Sequence, residues 1–131
     1  MRIMEYDWDA IIIGGGPAGS TVARYAADGG AKVLVIDRRR VIGTPLQCGE
    51  LVPSNLQLKN LCPDVPNIDE LFRTPDESIS REQKPWGSLH LLGKKLVYPF
   101  EGQILHRPIH DQKLVEMAKT KGAEFYRSQS K

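Results

Sequence analysis

Residues 10–19 read AIIIGGGPAG and residues 32–37 read KVLVID. The first stretch is an apolar run too short for a helix that ends on a Gly-x-Gly-x-x-Gly turn, and an alanine-rich segment leads from it to the second apolar run. The second run closes on Asp37, 23 positions after Gly14. This order predicts a strand, a tight turn, a helix and a parallel strand. We therefore expect the α/β class, with a Rossmann-like parallel sheet.

Each residue type in this stretch suits the binding of a dinucleotide. Gly14 permits a sharp exit from the strand, Gly16 lets the backbone approach a pyrophosphate, and Gly19 lets the helix lie close to the sheet. The helix then directs its unpaired N–H groups and the positive end of its dipole at the phosphates. Asp37 stands where a carboxylate can accept hydrogen bonds from the adenosine ribose. The agreement of these features favours a dinucleotide site over a glycine-rich turn without a ligand.

The composition is that of a globular protein without a strong charge. The chain has 131 residues, 40% of them hydrophobic and 26% charged, and a net charge of +2. This charge is too small to indicate nucleic acid or an acidic membrane as the main partner. The sequence has no window of about 18 apolar residues and no signal-peptide core near its start, so we expect a cytoplasmic protein without a transmembrane span. Cys48 and Cys62 are expected to be free thiols, and no metal site is predicted.

Glycine, proline and apolar spacing predict the elements that follow the first strand. In chain order the first of these are a helix over 17–28, a strand over 32–37, a loop over 41–53 and short helices over 54–61 and 69–72. A charged surface linker follows over 75–85, and strands over 86–92 and 95–98 form a hairpin. The last predicted elements are a helix that begins at Pro108 and ends at Gly122, and a strand from Ala123. The loop over 41–53 leaves the carboxyl end of a parallel strand, which is where ligand crevices form.

Three features near the expected ligand leave alternatives open. The arginines at 38–40 could grip the 2′-phosphate of NADP, but Asp37 beside them would repel a phosphate, which favours a solvated basic face with at most one arginine near a ligand. Cys48 precedes a glycine whose backbone can approach a flat ring, and it is either a thiol at the ligand or a small buried space-filler. Arg107 either reaches a phosphate or ring carbonyl, or is a surface arginine.

Three stretches carry a resemblance to a known family: residues 9–37 with the GGGPAGS turn, IGTPLQCGE at 42–50, and LHRPIHDQKLVEMAKTKGA at 105–123. Together they resemble the geranylgeranyl reductase family, FAD-dependent enzymes with the p-hydroxybenzoate hydroxylase-like flavoprotein fold. The Pro-x-x-Cys-Gly-Glu loop is the more family-specific part, and it moves the expected cofactor from NAD to FAD. Members of the family are much longer than this chain. The resemblance therefore implies the N-terminal portion only, with an incomplete FAD-binding domain.

The resemblance also implies a place for each site residue. Five residues would hold the adenosine diphosphate half of FAD, with the ribose on the last of them: Gly14, Gly16, Ala18, Gly19 and Asp37. Four would lie along the flavin or contact FAD further on: Cys48, Gly49, Leu51 and Arg107. In that family the reduced flavin delivers hydride to carbon–carbon double bonds of isoprenoid chains. Cys48 is the local candidate for the proton donor, and it is the catalytic residue that we predict.

The function expected from this resemblance is the FAD-binding portion of an oxidoreductase that reduces carbon–carbon double bonds of geranylgeranyl lipids. The implied partners are an isoprenoid lipid substrate and a C-terminal partner chain, with peripheral membrane contact left open. The implied division is a βαβ unit with the flavin loop over 1–53, part of a substrate domain over 54–106, and a return helix and strand over 107–131. The alternatives are a non-catalytic nucleotide-binding subunit or truncated fragment, and a flavin monooxygenase or electron-transfer flavoprotein dehydrogenase on the same fold.

Overall fold

The computed structural model describes residues 7–46, 48–65, 68, 74–83, 86–99 and 101–127. The chain divides into two compact units. The first comprises Met1–Gln47 together with Asp111–Lys131, and the second comprises Cys48–His110. Within the described ranges, the helices are all too short or too polar to cross a bilayer.

The first unit is built on a three-stranded parallel sheet. Its elements are β1 (Ala10–Ile13), α1 (Pro17–Asp28), β2 (Val33–Asp37) and β8 (Glu124–Arg127), and the strand order is β1-β2-β8. Ala10 pairs with Val33, and Leu34 pairs with Glu124, in parallel registers. The predicted strand, turn, helix and parallel strand are confirmed, and so is the α/β class.

The core of the first unit lies between one face of this sheet and its helices. The buried members are small or β-branched: Ala23, Ala27, Val33, Val35, Ala118 and Ala123. Ser20, Ala23 and Ala27 recur at intervals of three and four residues, so they form one stripe of α1 that faces the sheet. Because these side chains are small, the helix backbone can approach the strands closely.

Glycines end the helices of the first unit, as the sequence predicts. In α1 the amide of Gly29 donates to the carbonyl of Tyr25 at 3.1 Å, and Gly30 follows with φ +90°. The last helix, α3 (Arg107–Thr120), ends before Gly122, whose φ of +100° suits a residue without a Cβ. The amide of Ala123 then donates to the carbonyl of Ala118 at 3.1 Å, and the chain enters β8.

The second unit contains two antiparallel sheets. Its elements are β3 (Leu51–Pro53), α2 (Asn55–Leu61), a 3₁₀ turn (Asp76–Ser78), β4 (Ile79–Gln83), β5 (Trp86–Leu91), β6 (Lys94–Pro99) and β7 (Gly102–Leu105). One sheet has the order β3-β7-β4, and the other is the β5-β6 hairpin. The predicted hairpin is confirmed, with Leu92 and Gly93 at its turn, one residue earlier than expected. Both have positive φ, which a two-residue type I′ turn requires.

Four predictions concern the second unit or its boundary. The surface linker predicted over 75–85 is wrong, because β4 lies there and pairs with β7, with Ile79 opposite Leu105. The loop predicted over 41–53 ends in a strand, since Leu51 pairs with Ile104. The first short helix is confirmed as α2, whose N-terminus is capped by the Ser54 hydroxyl accepting from the amide of Gln57 at 3.1 Å. The second, at 69–72, lies outside the described residues.

Candidate dinucleotide site

The glycine turn connects β1 to α1 with the backbone that the sequence predicts. Gly14 has φ +101°, a conformation that L side chains rarely adopt, and its amide donates to the carbonyl of Ile36 on β2 at 2.8 Å. A Cβ built on Gly19 would overlap the carbonyl oxygen of Gly14. The turn can therefore hold this shape only with glycine at both positions.

The first turn of α1 is open on the side away from the sheet. Gly16 is the N-cap residue and supplies no side-chain cap, and the first turn holds no acidic residue. Ala18 is exposed. On the buried side, the hydroxyl of Ser20 donates to the carbonyl of Gly15 at 2.9 Å and locks the turn onto the helix. The N–H groups at this helix end therefore suit an anion that approaches from outside.

Asp37 ends β2 directly beside this turn. Its Oδ2 accepts a hydrogen bond of 2.7 Å from the amide of Gly15, which joins the end of one strand to the exit of the other. The residue is only 5% exposed. The side chain of Arg39 doubles back from the following loop and pairs with this carboxylate, at 2.8 Å between Nη2 and Oδ2. The acid that the sequence places at the ribose is thus held at the turn by backbone and side-chain donors together.

These donors also fix the charge of the carboxyl group. The side-chain hydrogen bonds from Arg39 lower the pKa of Asp37 from 3.8 to about 2, and the amides of Arg39 and Gly15 act in the same direction. Burial acts in the opposite direction, because it disfavours the charged form. The hydrogen bonds outweigh it, so Asp37 is an anion at every pH at which the protein would function.

A cleft of about 620 Å³ opens over the same end of the sheet. The described residues that line it are Ile13, Gly14, Ile36, Asp37, Arg38, Arg39 and Pro45. The cleft therefore lies at the carboxyl ends of β1 and β2, the edge of a parallel sheet at which nucleotides bind in folds of this kind.

Among the arginines at 38–40, the first and last are exposed as predicted, whereas Arg39 is half-buried against Asp37. Alternation along an extended chain puts residues 37 and 39 on one side, a spacing from which this pair could have been found.

The residues predicted for the flavin side belong to the second unit and gather around Glu50. Cys48 is an exposed free thiol, and its Sγ accepts from the amide of Glu50 at 3.4 Å. The Glu50 carboxylate accepts from the amide of Arg107, also at 3.4 Å, and its carbonyl accepts from the amide of Leu105 at 2.8 Å. Glu50 itself has φ +62°. Glu50 was not among the predicted site residues, although its position after a glycine indicates a sharp turn.

The remaining predicted residues of this second group lie in the same stretch. Gly49 has no atom within 4 Å of the position that a Cβ would take, so its backbone is accessible. Leu51 opens β3 and is 48% exposed. The structure thus brings Cys48, Gly49, Leu51 and Arg107 together through Glu50, and it brings the glycine turn and Asp37 together in the first unit. Within the described ranges, no three His, Cys, Asp or Glu side chains are grouped so that they could hold a metal ion.

Comparison with known proteins agrees with this geometry. The family model for the NAD(P)-binding Rossmann-like domain matches residues 12–58, which include the glycine turn and Asp37. The digeranylgeranylglycerophospholipid reductase of Methanocella arvoryzae is 35% identical over 122 residues, which is 92% of this chain and 30% of that protein. A protein encoded in the nifH2 5′ region of Methanosarcina barkeri is 34% identical over 94% of this chain and 66% of its own length.

Solved structures of other proteins share the fold of this chain. A geranylgeranyl bacteriochlorophyll reductase-like protein from Thermoplasma acidophilum superposes with a TM-score of 0.72 and 27% identity, over 92% of this chain and 30% of that one. A halogenase solved with phloroglucinol and FAD shares the fold, with a TM-score of 0.63 at 20% identity over 93% of this chain and 28% of that one.

The turn, the parallel sheet and the strand-end acid define a protein of the Rossmann-like dinucleotide-binding class. Within that class the chain is similar to the geranylgeranyl reductases, and it spans about 30% of the length of the reductases that it matches.

Proposed function

We propose that this chain is the FAD-binding portion of a flavin-dependent oxidoreductase that reduces carbon–carbon double bonds of geranylgeranyl lipids. The observation that carries the proposal is the bond between the Gly15 amide and Asp37, because it fixes an anionic acceptor beside an uncapped helix N-terminus. An adenosine diphosphate group presents the complementary groups, ribose hydroxyls and phosphates, in that order. The names of the reductase relatives support the lipid substrate.

The residues of the first unit fit this half of FAD. Around the position of a Cβ on Gly16, the nearest atom is the Arg39 guanidinium at 3.5 Å, so a phosphate can approach the backbone there. We assign the pyrophosphate to Gly14, Gly16, Ala18 and Gly19, and the ribose hydroxyls to Asp37. The positive end of the α1 dipole stabilises the phosphate charge.

The residues around Glu50 would serve the flavin half. The flavin of FAD, when bound and in its reduced form, would supply a hydride to one carbon of the double bond. We assign the flavin contacts to Cys48, Gly49 and Leu51, with Arg107 as a further contact with FAD. The exposed thiol of Cys48 is the group here that can supply the proton to the second carbon. The amide of Glu50, which donates to Cys48 Sγ, would orient that thiol.

The substrate implies where the whole enzyme works. Geranylgeranyl chains are long hydrocarbons that partition into membranes. We therefore propose a cytoplasmic protein that meets its lipid at the membrane surface.

The proposal is tested by the binding of FAD. The purified chain is titrated with FAD and the quenching of flavin fluorescence is measured, alone and after co-expression with the part of the Methanosarcina acetivorans reductase that this chain does not match. We expect bound yellow flavin in at least the combined sample. Absence of FAD from both samples, with each shown to be folded by circular dichroism, would overturn the proposal.

A matched pair of glycine variants locates the site. Gly16→Ala adds a methyl group where the pyrophosphate would lie, while its φ of −70° accepts alanine. Gly29→Ala adds the same group at the other end of the same helix, where the nearest atoms are 3.4 Å and 3.5 Å away. We expect FAD affinity to fall about tenfold or more in the first variant and to stay unchanged in the second. Equal affinities would move the phosphates away from this turn.

A second candidate function is a non-catalytic nucleotide-binding subunit that works with a separate chain. The observation that favours it is the sheet face opposite α1, which carries Ile11, Ile13 and Tyr126 at 56%, 78% and 61% exposure. Parallel sheets are normally covered on both faces. A partner polypeptide that supplies the rest of the flavoprotein fold would cover these side chains.

The same co-expression experiment separates the two candidates. The second predicts a stable complex that binds FAD but leaves geranylgeranyl lipid unreduced when dithionite reduces the flavin. Reduction of the lipid by that complex supports the first candidate. An Ile13→Lys variant that still forms the complex would contradict burial of this face by the partner.

A further inference from the structure

Arg39 and the Gly15 amide together occupy every acceptor position of Asp37. The Oδ1 atom accepts from the Arg39 amide at 2.7 Å and from its Nε at 3.1 Å. The Oδ2 atom accepts from Nη2 of Arg39 at 2.8 Å and from the Gly15 amide at 2.7 Å. A carboxylate offers about four lone-pair sites. A ribose hydroxyl can therefore bond to Asp37 only by replacing one of these donors.

Two of the four donors can move without any movement of the backbone. The amides of Gly15 and Arg39 are part of the backbone and keep the carboxylate in place. The other two donors belong to one guanidinium at the end of a flexible side chain, which is 34% exposed against 5% for Asp37. If that guanidinium departs, two acceptor sites open, and the two hydroxyls of a ribose would fill them.

The structure also supplies a second partner for that guanidinium. Its Nη2 lies 3.5 Å from the position that a Cβ on Gly16 would take, so it already stands beside the first turn of α1. Arg39 lines the cleft that opens over this turn. A guanidinium matches the geometry of a phosphate with two parallel N–H bonds. A short rotation of the side chain would carry its charge from the carboxylate to a phosphate at the turn.

We propose that Arg39 is a specificity-determining residue that exchanges partners, pairing with Asp37 in the empty site and with the pyrophosphate in the occupied one. The inference rests on the proposed function, since it uses the same adenosine diphosphate site. The inference adds that the site distinguishes ligands that carry a phosphate from ligands that do not. A ligand with ribose and phosphates gives the departing guanidinium a new partner. Adenosine displaces the same guanidinium from Asp37 but offers no phosphate to which it could bond.

The test compares ADP with adenosine on four proteins: wild type, Arg39→Ala, Arg39→Gln and Arg40→Ala. Arg40 is exposed and does not line the cleft, so its variant controls for the loss of one positive charge. Affinities are measured by NMR titration, with urea unfolding of each variant as the check on folding. We expect ADP to bind about tenfold more weakly to Arg39→Ala than to Arg40→Ala, because a charge-assisted bond to phosphate is lost. Adenosine should bind to Arg39→Ala at least as tightly as to wild type.

Parallel weakening of ADP and adenosine in Arg39→Ala would overturn the inference, because Arg39 would then only position Asp37. An ADP loss no larger than that of Arg40→Ala would overturn it as well. If Arg39→Ala does not fold, Arg39→Gln takes its place in the comparison, and the wild-type protein supplies a second readout. The Arg39 Nε–H resonance of wild type is expected to shift on addition of ADP. An unchanged resonance in the ADP-bound protein contradicts the exchange. Failure of wild type to bind ADP, adenosine and FAD is a failure of the proposed function itself.

Discussion

A Cβ placed on Gly19 would overlap the carbonyl oxygen of Gly14, so the first turn of α1 lies too close to the end of β1 for a side chain at this position. The same Cβ would stand 3.3 Å from a methyl group of Ile12. Neither the carbonyl nor the strand can move without breaking the turn. We predict that Gly19→Ala lowers the free energy of unfolding by about 2 kcal/mol or more, the cost of overpacking a close contact. Urea unfolding measures it.

Gly29→Ala serves as the control for this variant. Gly29 is the C-cap residue of the same helix, with φ −78°, and a Cβ there would make ordinary van der Waals contact with two carbonyl oxygens. Its unfolding free energy should differ from that of wild type by less than about 1 kcal/mol. If both variants lose the same stability, helix propensity and not the contact with Gly14 is responsible.

The ion pair between Asp37 and Arg39 predicts a specific response to acid. Folding lowers the pKa of Asp37 from 3.8 to about 2, so the unfolded chain takes up a proton more readily than the folded protein. The stabilisation is complete above about pH 4 and is lost as the pH falls toward 2. We predict that the difference in unfolding free energy between wild type and Asp37→Asn is largest near neutral pH and narrows over this window. Urea unfolding at a series of pH values measures it.

Asp28→Asn is the matched control, because Asp28 forms an exposed ion pair with Lys121 on the same unit. Exposed pairs contribute little, so this variant should lie within about 1 kcal/mol of wild type at neutral pH. A difference between wild type and Asp37→Asn that stays constant from pH 5 to about pH 2 would contradict the role given to Asp37.

The hairpin of the second unit offers a stabilising substitution. Leu92 stands at its turn with φ +50° and is 94% exposed, so it carries the strain of a left-handed conformation without burying its side chain. Asparagine adopts this conformation more easily, and Asn-Gly is the preferred type I′ pair. We predict that Leu92→Asn raises the unfolding free energy by about 0.5 to 1 kcal/mol, measured by urea unfolding. Gly93→Ala, at φ +75°, should lower it, and a gain in that variant would contradict the turn assignment.

The sequence predictions were accurate for elements that neighbouring residues determine and inaccurate for elements that depend on residues far apart in the sequence. The βαβ unit was predicted with its helix bounds correct, because Pro17, the glycines at each end and the apolar runs act within one or two turns of chain. β4 and β7 were missed because each depends on the other, with Ile79 opposite Leu105 across 26 residues of sequence. Their residues carry little strand pattern of their own. Pairing of this kind is decided by tertiary contacts and not by local preference.

In the candidate site, too, the features that local spacing determines were predicted and those that depend on tertiary contacts were not. The spacing of Gly14, Gly16, Gly19 and Asp37 predicted a turn and an acid at the ends of neighbouring strands, and the structure places them there. The saturation of the carboxylate by Arg39 was not predicted, because the three arginines were interpreted as one basic face and the alternation that puts residues 37 and 39 on one side was not applied. The roles given to Cys48, Gly49, Leu51 and Arg107 stay predictions.

The two faces of β1 supply a last prediction, since neighbouring isoleucines point to opposite sides of the sheet. Ile12 packs against the core under α1, whereas Ile13 is 78% exposed. We predict that Ile12→Ala lowers the unfolding free energy of the isolated chain by about 2 kcal/mol and that Ile13→Ala changes it by less than about 0.5 kcal/mol. If a partner covers the exposed face, Ile13→Ala should instead weaken the complex with the co-expressed part of the Methanosarcina acetivorans reductase. Urea unfolding of the chain and dissociation of the complex measure the two effects, and a large loss of stability for Ile13→Ala in the isolated chain would reverse the assignment of the faces.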